Sequence, residues 1–329
     1  MCTTFCYRPQ AVKGAYFGRS MDIDCSFGEH LVVSPRAAKR SYKHLDNPPT
    51  TQMSLMGMAS VVNETALYAE AISESGLYCA GLNFPRTAHY GKPISGAINL
   101  APYELIPYLL TQARDLNQAR EILRQVNLCD TAFMPGLPVA PMHFFLSDGG
   151  NHLIIEPQAD GIHIYEDDLG VLTNNPPYPT HRANIENYLH LSTANRGGGV
   201  IEPTAYGEGL GLVGLPGDFS PMSRYVRTAI LKAAAQQVPA QHSPEPVFEV
   251  LHLLHAVAMV RGSVVTAAGN YDITRYFACF GQEDLTCTFH TYDNFQPYAV
   301  RLRDHDLDSS DLVVYPLPEA GELPTPPRK

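Results

Sequence analysis

The second residue of the chain, Cys2, could carry nucleophilic chemistry. If Met1 is removed, Cys2 holds a thiol and a free α-amino group, with reference pKa values of about 8.5 and about 8. One residue would then supply a nucleophile and its own general base. A β-turn is predicted at Lys13-Gly14, and pairing of the strands around it brings Arg19 and Asp22 beside Cys2. There a permanent cation favours the thiolate, and a carboxylate can orient the ammonium.

Composition limits what the chain can be. Its 329 residues are 45% hydrophobic and 17% charged, which is typical of a globular protein with a large core. The net charge of -10 argues against nucleic-acid binding. No apolar run reaches the roughly 18 residues that a membrane span needs, and the N-terminus lacks the basic and apolar regions of a secretory signal. We therefore expect a cytoplasmic protein that binds neither nucleic acid nor membrane.

The cysteines and histidines do not form a metal-binding pattern. The cysteines are odd in number and scattered, without a Cys-x-x-Cys motif: Cys2, Cys6, Cys25, Cys79, Cys129, Cys279 and Cys287. A disulfide framework or zinc site is therefore not expected, and free thiols in a reducing compartment fit better. His252 and His255 are three residues apart on a predicted helix, but nothing acidic or sulfur-bearing joins them there. We expect neither a metal nor another cofactor.

Hydrophobic alternation predicts many short strands. They cover residues 3–7, 15–17, 30–34, 53–62, 64–73, 77–82, 143–146, 152–156, 162–165 and 170–173, with more between 276 and 300. Alternation within 64–73 would put four side chains on one face: Ala66, Tyr68, Glu70 and Ile72. Two of the strands end close to an asparagine, Asn83 in one case and Asn174 in the other.

Helices are predicted between the groups of strands, over residues 102–114, from Asp115 onward, over 181–191 and from Ser220-Pro221 to about 237. Asp115 with Gln118 three residues later has the pattern of a capping box. Ser220-Pro221 and Ser243-Pro244 each combine an N-cap serine with a proline at the first helical position. Arg224 then falls in a first turn, where the helix dipole disfavours a cation, which suggests a role elsewhere.

The order of these elements predicts an α+β fold. Blocks of strands separated by helix pairs, without βαβ alternation, favour two antiparallel sheets with helices outside them. We expect one domain over residues 1–315 and a loose, proline-rich tail over 316–329. Residues 128–140 are predicted to form a surface loop. The glycine-rich segment 207–217 lacks the strand and spacing of a phosphate-binding loop and is also predicted to be a loop.

Several segments together resemble one known family. They are Met1-Cys2-Thr3, 17–24 (FGRSMDID), 79–85 (CAGLNFP), 172–176 (LTNNP), 209–221 (GLGLVGLPGDFSP) followed by Ser223-Arg224, and 257–263 (VAMVRGS). In this order they resemble the choloylglycine hydrolase family, the conjugated bile salt hydrolases and penicillin V acylases among the N-terminal-nucleophile hydrolases. The resemblance extends from residue 1 to about residue 300. It implies a four-layer αββα sandwich, a homotetramer and a small-molecule amide substrate with an apolar acyl group.

The resemblance also implies roles for residues around Cys2. Met1 would be removed, and Cys2 would attack an amide carbonyl and form a thioester, with its α-amine moving the proton. Arg19 would flank the thiol, and Asp22 would hold the amine.

Three further catalytic roles follow from the resemblance. Asn174 would donate a side-chain N–H to the oxyanion, and Asn83 would line the same oxyanion hole through its backbone N–H. Arg224 would help to fix the charged network. Fixed donors of this kind are commonly the largest catalytic contribution, about 3–4 kcal/mol for each donor.

The resemblance favours one substrate class. Asn83 matches the bile salt hydrolases, whereas the penicillin V acylases of this group resemble each other in having tyrosine at that position. Met21 also matches the bile salt enzymes, where it lines an apolar steroid pocket. The apolar residues of loop 131–141, among them Phe133 and Leu137, could extend that wall, although such a loop suits any fatty or aromatic acyl group. We favour glycine- or taurine-conjugated bile salts over penicillin V or N-acyl-homoserine lactones.

Two hypotheses from other functional classes remain open. A non-catalytic scaffold could bind acylated ligands without cleaving them, and it predicts that Met1 is retained and that Cys2 does not react with iodoacetamide. A thiol-based redox sensor would need a resolving cysteine, for which Cys6 and Cys25 are the nearby candidates.

Overall fold

The computed structural model describes residues 1–10, 12–49, 52–194, 209–239, 245–321 and 325. Its strands are β1 (Cys2–Tyr7), β2 (Tyr16–Ile23), β3 (Glu29–Ser34), β4 (Leu55–Val62), β5 (Thr65–Ser73), β6 (Tyr78–Asn83), β7 (Ile98–Leu100), β8 (Val126–Leu128), β9 (Met142–Ser147), β10 (His152–Gln158), β11 (Gly161–Asp167), β12 (Val171–Leu172), β13 (Val264–Val265), β14 (Tyr271–Gly281), β15 (Thr286–Thr291), β16 (Tyr298–Arg301) and β17 (Val313–Pro316). Its α-helices are α1 (Leu105–Gln112), α2 (Leu116–Leu123), α3 (Tyr178–Asn184), α4 (Pro221–Gln236) and α5 (Pro246–His255).

Two antiparallel sheets form the centre of the molecule. One has the strand order β12-β1-β2-β14-β15-β16, with β13 paired to β14, and the other has the order β11-β10-β9-β6-β5-β4-β3-β17. A separate pair, β7 and β8, is parallel and was not predicted. Because β1 and β2 pair directly, the opening hairpin lies inside the first sheet.

Buried hydrophobic clusters lie on both faces of each sheet. Between the sheets, the core combines aliphatic and aromatic side chains, and Phe17 stacks on Tyr78 with ring centroids 4.6 Å apart. Helices α1 and α2 cover the outer face of the eight-stranded sheet, while α4 and α5 cover the outer face of the other. Burial of apolar area in three layers is the main stabilising term for such a fold. The predicted α+β, four-layer αββα sandwich is confirmed.

Local capping signals locate two of the helices. The Asp115 carboxylate accepts from the backbone N–H of Gln118 at 2.9 Å and begins α2. The Gln118 side chain accepts from the backbone N–H of Arg114, one residue before the N-cap, so the capping box is shifted by one position. Ser220 Oγ accepts from the backbone N–H of Ser223 at 3.3 Å and begins α4.

Two helix boundaries differ from the prediction. The helix predicted over 181–191 begins earlier, at Tyr178, because Pro177 and Pro179 favour a first turn; it ends at Asn184 and continues as a 3₁₀ turn over Ile185–Tyr188. Ser243 and Pro244, predicted to open the last helix, lie outside the described residues. That helix is described from Pro246, with Glu245 at its N-cap.

Two predicted loops lie partly outside the described residues. Within the glycine-rich segment, residues 207 and 208 are outside, Gly209 has a φ of 82°, and a 3₁₀ turn follows over Leu210–Leu212. At the C-terminus, β17 pairs with β3, and residues 322–324 and 326–329 are outside. The division into a 1–315 domain and a tail stays a prediction. Among the described residues, no helix is both long enough and apolar enough to cross a membrane.

A β-bulge breaks the predicted alternation of β5. The register between β4 and β5 shifts at Met58/Ala59, which are opposite Glu70 and Tyr68 respectively. Tyr68 therefore packs toward the helices, whereas Ile72 packs between the sheets. Such bulges re-aim side chains, and here the bulge turns Glu70 toward the interior of the sandwich. The prediction that these residues share one face was wrong.

Candidate active site

The opening hairpin places Arg19 next to Cys2. Cys2 pairs with Met21 and Thr4 pairs with Arg19, in an antiparallel register without interruption. The Cys2 side chain is buried, and its Sγ accepts a hydrogen bond from Arg19 Nη2 at 3.2 Å. Because the hairpin is local in sequence, this arrangement follows from the turn and the alternation of the strands. A buried guanidinium at this distance favours the thiolate form.

Arg19 is held from the opposite sheet. Its Nη2 also donates to the Gly81 carbonyl at 2.9 Å, and its Nε lies 3.4 Å from a carboxylate oxygen of Glu70. Burial alone would lower the pKa of Arg19, but Cys2 and Glu70 hold it above the ordinary value. Burial raises the pKa of Glu70 to about 7, against the opposing effects of Arg19 and the Tyr276 hydroxyl.

Asp22 lies in the same cluster, one residue after the Cys2 pairing partner. Its carboxylate accepts from Thr274 Oγ1 at 2.6 Å and from Ser20 Oγ at 3.2 Å. The Met1 ammonium donates to the backbone carbonyl of Asp22 and lies 3.6 Å from the Asp272 carboxylate. Asp22 and Asp272 thus give the N-terminal end of β1 an acidic environment.

Asn174 connects the N-terminal strand to the second sheet. Its Oδ1 accepts from the Cys2 backbone N–H at 2.8 Å, and its Nδ2 donates to the Asn83 carbonyl at 2.7 Å. Asn174 lies just after β12 in one sheet, and Asn83 ends β6 in the other. The two strand ends singled out in the sequence therefore meet directly beside Cys2.

Arg224 closes the network from the helix layer. Its Nη1 donates to the Cys2 carbonyl and to Thr3 Oγ1, both at 2.6 Å, and its Nη2 donates to Asn174 Oδ1 at 2.8 Å. Nη1 also lies 3.8 Å from an Asp22 carboxylate oxygen. Burial lowers the pKa of Arg224, while Asp22 and Cys2 oppose that effect. The unfavourable position of this arginine in the helix is thus compensated by tertiary contacts.

The three predicted substrate-binding residues have different surroundings. The Met21 side chain is buried, with its Sδ 3.7 Å from Cys2 Sγ. Phe133 packs edge-on against Tyr103, with ring centroids 5.4 Å apart. Leu137 is 53% exposed. The loop that carries Phe133 and Leu137 ends close to the site, because the backbone N–H of Phe84, the residue after Asn83, donates to the Pro141 carbonyl at 2.7 Å.

Sequence reasoning missed several buried polar residues around the site. Glu70, His143, Glu156 and His181 are all buried. Glu70 pairs with Arg19, His181 bonds to the Asn174 carbonyl and His143 bonds to the adjacent Thr173 carbonyl, while Glu156 contacts the site through His143. The available signal was a charged or imidazole side chain within an otherwise apolar, alternating segment. Within the described residues, no group of three or more His, Cys, Asp or Glu side chains could hold a metal ion.

Several known proteins are similar to this chain in sequence and in fold. The chain is 33% identical over 320 residues to "Bile salt hydrolase/transferase" of Lactiplantibacillus plantarum, which covers 96% of this chain and 97% of that protein. A crystal structure of a variant of conjugated bile acid hydrolase from Clostridium perfringens superposes with a TM-score of 0.90, at 31% identity over 98% of this chain and 99% of that one. Penicillin V acylase from Agrobacterium tumefaciens shares the fold, with a TM-score of 0.75 at 20% identity over 95% of this chain and 90% of that one.

The family model agrees with these likenesses. The model described as linear amide C–N hydrolases, choloylglycine hydrolase family, matches residues 2–315. This range contains the cysteine, the arginines and the asparagines that the fold brings together. The chain belongs to the choloylglycine hydrolase family and is a hydrolase of linear amide C–N bonds.

Proposed function

We propose that the active protein begins at Cys2 and hydrolyses the amide bond of glycine- or taurine-conjugated bile salts. The observation that carries the proposal is the pair of contacts at Cys2. Its Sγ is 3.2 Å from Arg19 Nη2, and its backbone nitrogen is 2.8 Å from Asn174 Oδ1. One residue thus presents a sulfur beside a cation and a nitrogen beside an acceptor. The likeness to bile salt hydrolases over nearly the whole chain supports this substrate class.

Removal of Met1 would convert the Cys2 nitrogen from an amide into an amine. That nitrogen already has the Asn174 Oδ1 acceptor, and the carboxylate of Asp22 lies in the same cluster, where Arg224 approaches it to 3.8 Å. An amine at this position can take the thiol proton, after which Arg19 stabilises the thiolate. The nucleophile and the base are then within one residue.

The thiolate adds to the amide carbonyl carbon, and the carbonyl oxygen becomes an oxyanion. The Asn174 amide nitrogen carries two hydrogens, one of which is donated to the Asn83 carbonyl. The second hydrogen and the Asn83 backbone N–H would bind the oxyanion. Fixed donors of this type contribute about 3–4 kcal/mol each to transition-state stabilisation.

Collapse of the intermediate breaks the C–N bond, and the Cys2 ammonium gives its proton to the departing glycine or taurine nitrogen. The acyl group remains on sulfur as a thioester. The amine, now neutral, takes a proton from water, whose oxygen adds to the thioester carbonyl. The C–S bond then breaks, which releases the free bile acid and restores the Cys2 thiol.

The surroundings of Cys2 favour a bulky apolar acyl group. Met21 lies against the Cys2 sulfur, and Met134 and Leu137 are 38% and 53% exposed on the loop whose end, at Pro141, is hydrogen-bonded to Phe84. Exposed apolar side chains are typical of a binding surface for an apolar ligand. The same surface would accept the acyl group of penicillin V or of an N-acyl-homoserine lactone, and Asn83 and Met21 are our reasons to favour bile salts.

Intact mass and a substrate panel test this proposal. We expect a chain that lacks Met1 and releases glycine or taurine from conjugated cholates faster than it cleaves penicillin V or acyl-homoserine lactones. Cys2→Ala should abolish turnover. Cys6→Ala is the matched control, because Cys6 is buried on the same strand and burial raises its pKa to about 11. It should retain activity.

Other results would point to the competing hypotheses. Retained Met1 without alkylation of Cys2 would support a ligand-binding scaffold, and alkylation must be mapped by peptide mass because Cys25 is exposed. A reversible disulfide of Cys2 without turnover would support a redox sensor. Faster cleavage of penicillin V would overturn the substrate assignment but not the reaction class. The expected homotetramer and cytoplasmic location belong to the same proposal and are tested by light scattering and cell fractionation.

A further inference from the structure

We propose that His181 and His143 are positioning residues, which hold the backbone carbonyls of Thr173 and Asn174 on either side of the Asn174 Cα so that the Asn174 side-chain amide points at the oxyanion. This inference rests on the proposed role of Asn174 in amide hydrolysis. The two imidazoles come from different elements and bind two consecutive carbonyls.

His181 contacts Asn174 itself. From helix α3, its Nε2 lies 2.7 Å from the Asn174 carbonyl oxygen. A carbonyl accepts only, so Nε2 carries the hydrogen. The ring is buried and stacks on Tyr225, with centroids 5.0 Å apart. Within the described residues Nδ1 has no hydrogen-bond partner, so the single polar contact made by this side chain is the one to Asn174.

The protonation state of His181 fits this role. Burial lowers its pKa to about 4, so the ring is neutral at ordinary pH. Nδ1 then carries a lone pair and, unlike the Nδ1–H of an imidazolium, does not need a hydrogen-bond acceptor. A buried polar ring that satisfies only one of its nitrogens is uncommon in proteins. The bond to Asn174 is therefore the specific interaction that this histidine contributes.

His143 holds the preceding residue from strand β9. Its Nε2 lies 3.0 Å from the Thr173 carbonyl oxygen, and its Nδ1 lies 3.3 Å from Glu156 Oε1. Because the carbonyl only accepts, Nε2 donates to it. The same Glu156 oxygen accepts from the Tyr178 backbone N–H at 2.9 Å, at the start of α3. Glu156 thus fixes the orientation of the ring.

His143 also contacts Phe84, the residue that follows the other asparagine, Asn83. Its ring stacks on Phe84, with centroids 4.2 Å apart and planes inclined by 8°. Phe84 directly follows Asn83, and Leu82 pairs with His143 across the β6–β9 ladder. The imidazole is therefore packed against the end of one strand and hydrogen-bonded to the end of the other. A movement of His143 would change the distance between Asn83 and Asn174.

These contacts matter because alignment contributes strongly to catalysis. Misplacement of a reacting group by about 1 Å can cost about 100-fold in rate. Asn174 is outside the regular ladder, since β12 ends at Leu172. Its carbonyl and that of Thr173 bond to histidine side chains, whereas carbonyls within a sheet bond to backbone N–H groups of a neighbouring strand. The histidines replace the missing ladder at the point where the amide must be fixed.

Phenylalanine substitutions separate positioning from packing. His181→Phe keeps an aromatic ring against Tyr225 and removes the donor to Asn174, and His143→Phe does the same for Phe84 and Thr173. The matched control is His152→Phe, because His152 is a buried histidine on β10 that stacks on Phe145 and bonds only Ser147 among the described residues. Each purified variant is assayed on a conjugated cholate, with thermal unfolding and the rate of Cys2 alkylation measured in parallel.

We expect His181→Phe and His143→Phe to lower kcat by about 10- to 100-fold, with KM and the Cys2 alkylation rate within about twofold of the wild type. His181→Gln, which restores a side-chain N–H, should recover kcat to within about fivefold. His152→Phe should leave kcat unchanged. If His181→Phe does not fold, His143→Phe tests the second carbonyl independently.

Two kinds of failure are distinguishable. Folded His181→Phe and His143→Phe proteins with wild-type kcat would overturn the positioning role while the proposed function stands. A loss of kcat in His152→Phe equal to that in His181→Phe would also overturn it, since the effect would then be general to the core. If the wild type shows no hydrolysis that depends on Cys2, the proposed function itself fails.

Discussion

Arg19 and Glu70 form an ion pair across the two sheets, with Arg19 Nε 3.4 Å from Glu70 Oε2 and both side chains fully buried. The Tyr276 hydroxyl donates to the same carboxylate at 2.9 Å. Since Arg19 also donates to the Cys2 sulfur, the reactive thiol is electrostatically connected to the middle of the sandwich. Glu70 therefore partly neutralises the Arg19 charge that favours the Cys2 thiolate.

Substitution of Glu70 should affect both stability and the thiol. We expect Glu70→Gln to lower the free energy of unfolding by about 3 kcal/mol, because it leaves the buried Arg19 charge unpaired. Alkylation of Cys2 at a fixed pH should become faster, because the Arg19 guanidinium is no longer neutralised. Urea unfolding and iodoacetamide kinetics measure the two effects.

The control is Glu104→Gln. Glu104 is also a buried carboxylate, but it accepts from the backbone N–H groups of Lys43 and Ala101 and not from an arginine. Glu104→Gln should change stability without changing the rate of Cys2 alkylation. An unchanged alkylation rate in Glu70→Gln would show that the Glu70 carboxylate does not influence the thiol.

Arg224 should not be replaceable by lysine. Its guanidinium donates hydrogen bonds to Cys2, Thr3 and Asn174 at once. The ammonium group of lysine cannot reproduce the planar arrangement of these donors. We expect Arg224→Lys to lower kcat/KM by about 100-fold or more, because Asn174 loses its orientation. Steady-state kinetics on a conjugated cholate measure the change.

Arg227 provides the comparison for Arg224. It lies one turn later on the same helix, and its guanidinium donates to the backbone carbonyls of Ala256, Pro216 and Asp218 at 2.7–3.2 Å. Arg227→Lys should reduce thermal stability and leave kcat within about twofold. Equal catalytic losses in the two variants would contradict a specific role for Arg224.

Gly57 should be required for the β4–β5 ladder. A Cβ added at Gly57 would lie 2.1 Å from the Glu70 carbonyl oxygen and 2.6 Å from Ala71 Cα, which are backbone atoms that cannot rotate away. We expect Gly57→Ala to lower stability by about 1–3 kcal/mol, as overpacking does. Gly217→Ala, where the added Cβ meets nothing within 4 Å, should be close to neutral. Comparable urea midpoints for the two variants would refute the steric argument.

Acidification should destabilise the fold through its buried histidines. Burial lowers the pKa of His152 and His181 to about 4, from the ordinary 6.5. Between pH 6.5 and 4 the unfolded chain binds protons that the folded chain does not, so the stability from these residues is lost as pH falls. Each contributes at most about 3 kcal/mol over that range. Glu70, with its raised pKa, binds a proton preferentially in the folded state and acts in the opposite direction.

A variant comparison isolates the histidine effect. His152→Gln should lose less stability than the wild type when urea unfolding is repeated at pH 7 and pH 4.5. The Glu70 contribution is common to both proteins and cancels in the difference. Identical losses for the two proteins would mean that His152 is not kept neutral by the fold.

The amino-acid sequence alone determined the local features of this protein. The opening hairpin, which brings Arg19 beside Cys2, depends on a turn and a period of two that neighbouring residues specify. The starts of α2 and α4 follow from Asp115 and Ser220, because capping is a bond between residues three apart. The family resemblance could likewise be recognised from short motifs.

Tertiary structure decided where the buried polar groups find their partners. The bulge in β5 turns Glu70 toward Arg19, and no pattern within the strand predicted it. His181 and His143 bind the carbonyls around Asn174 only because the helix, the strand and the loop pack together there. Local sequence specifies the period and ends of an element, whereas a buried donor must be satisfied by whatever the packing of distant elements places within about 3 Å.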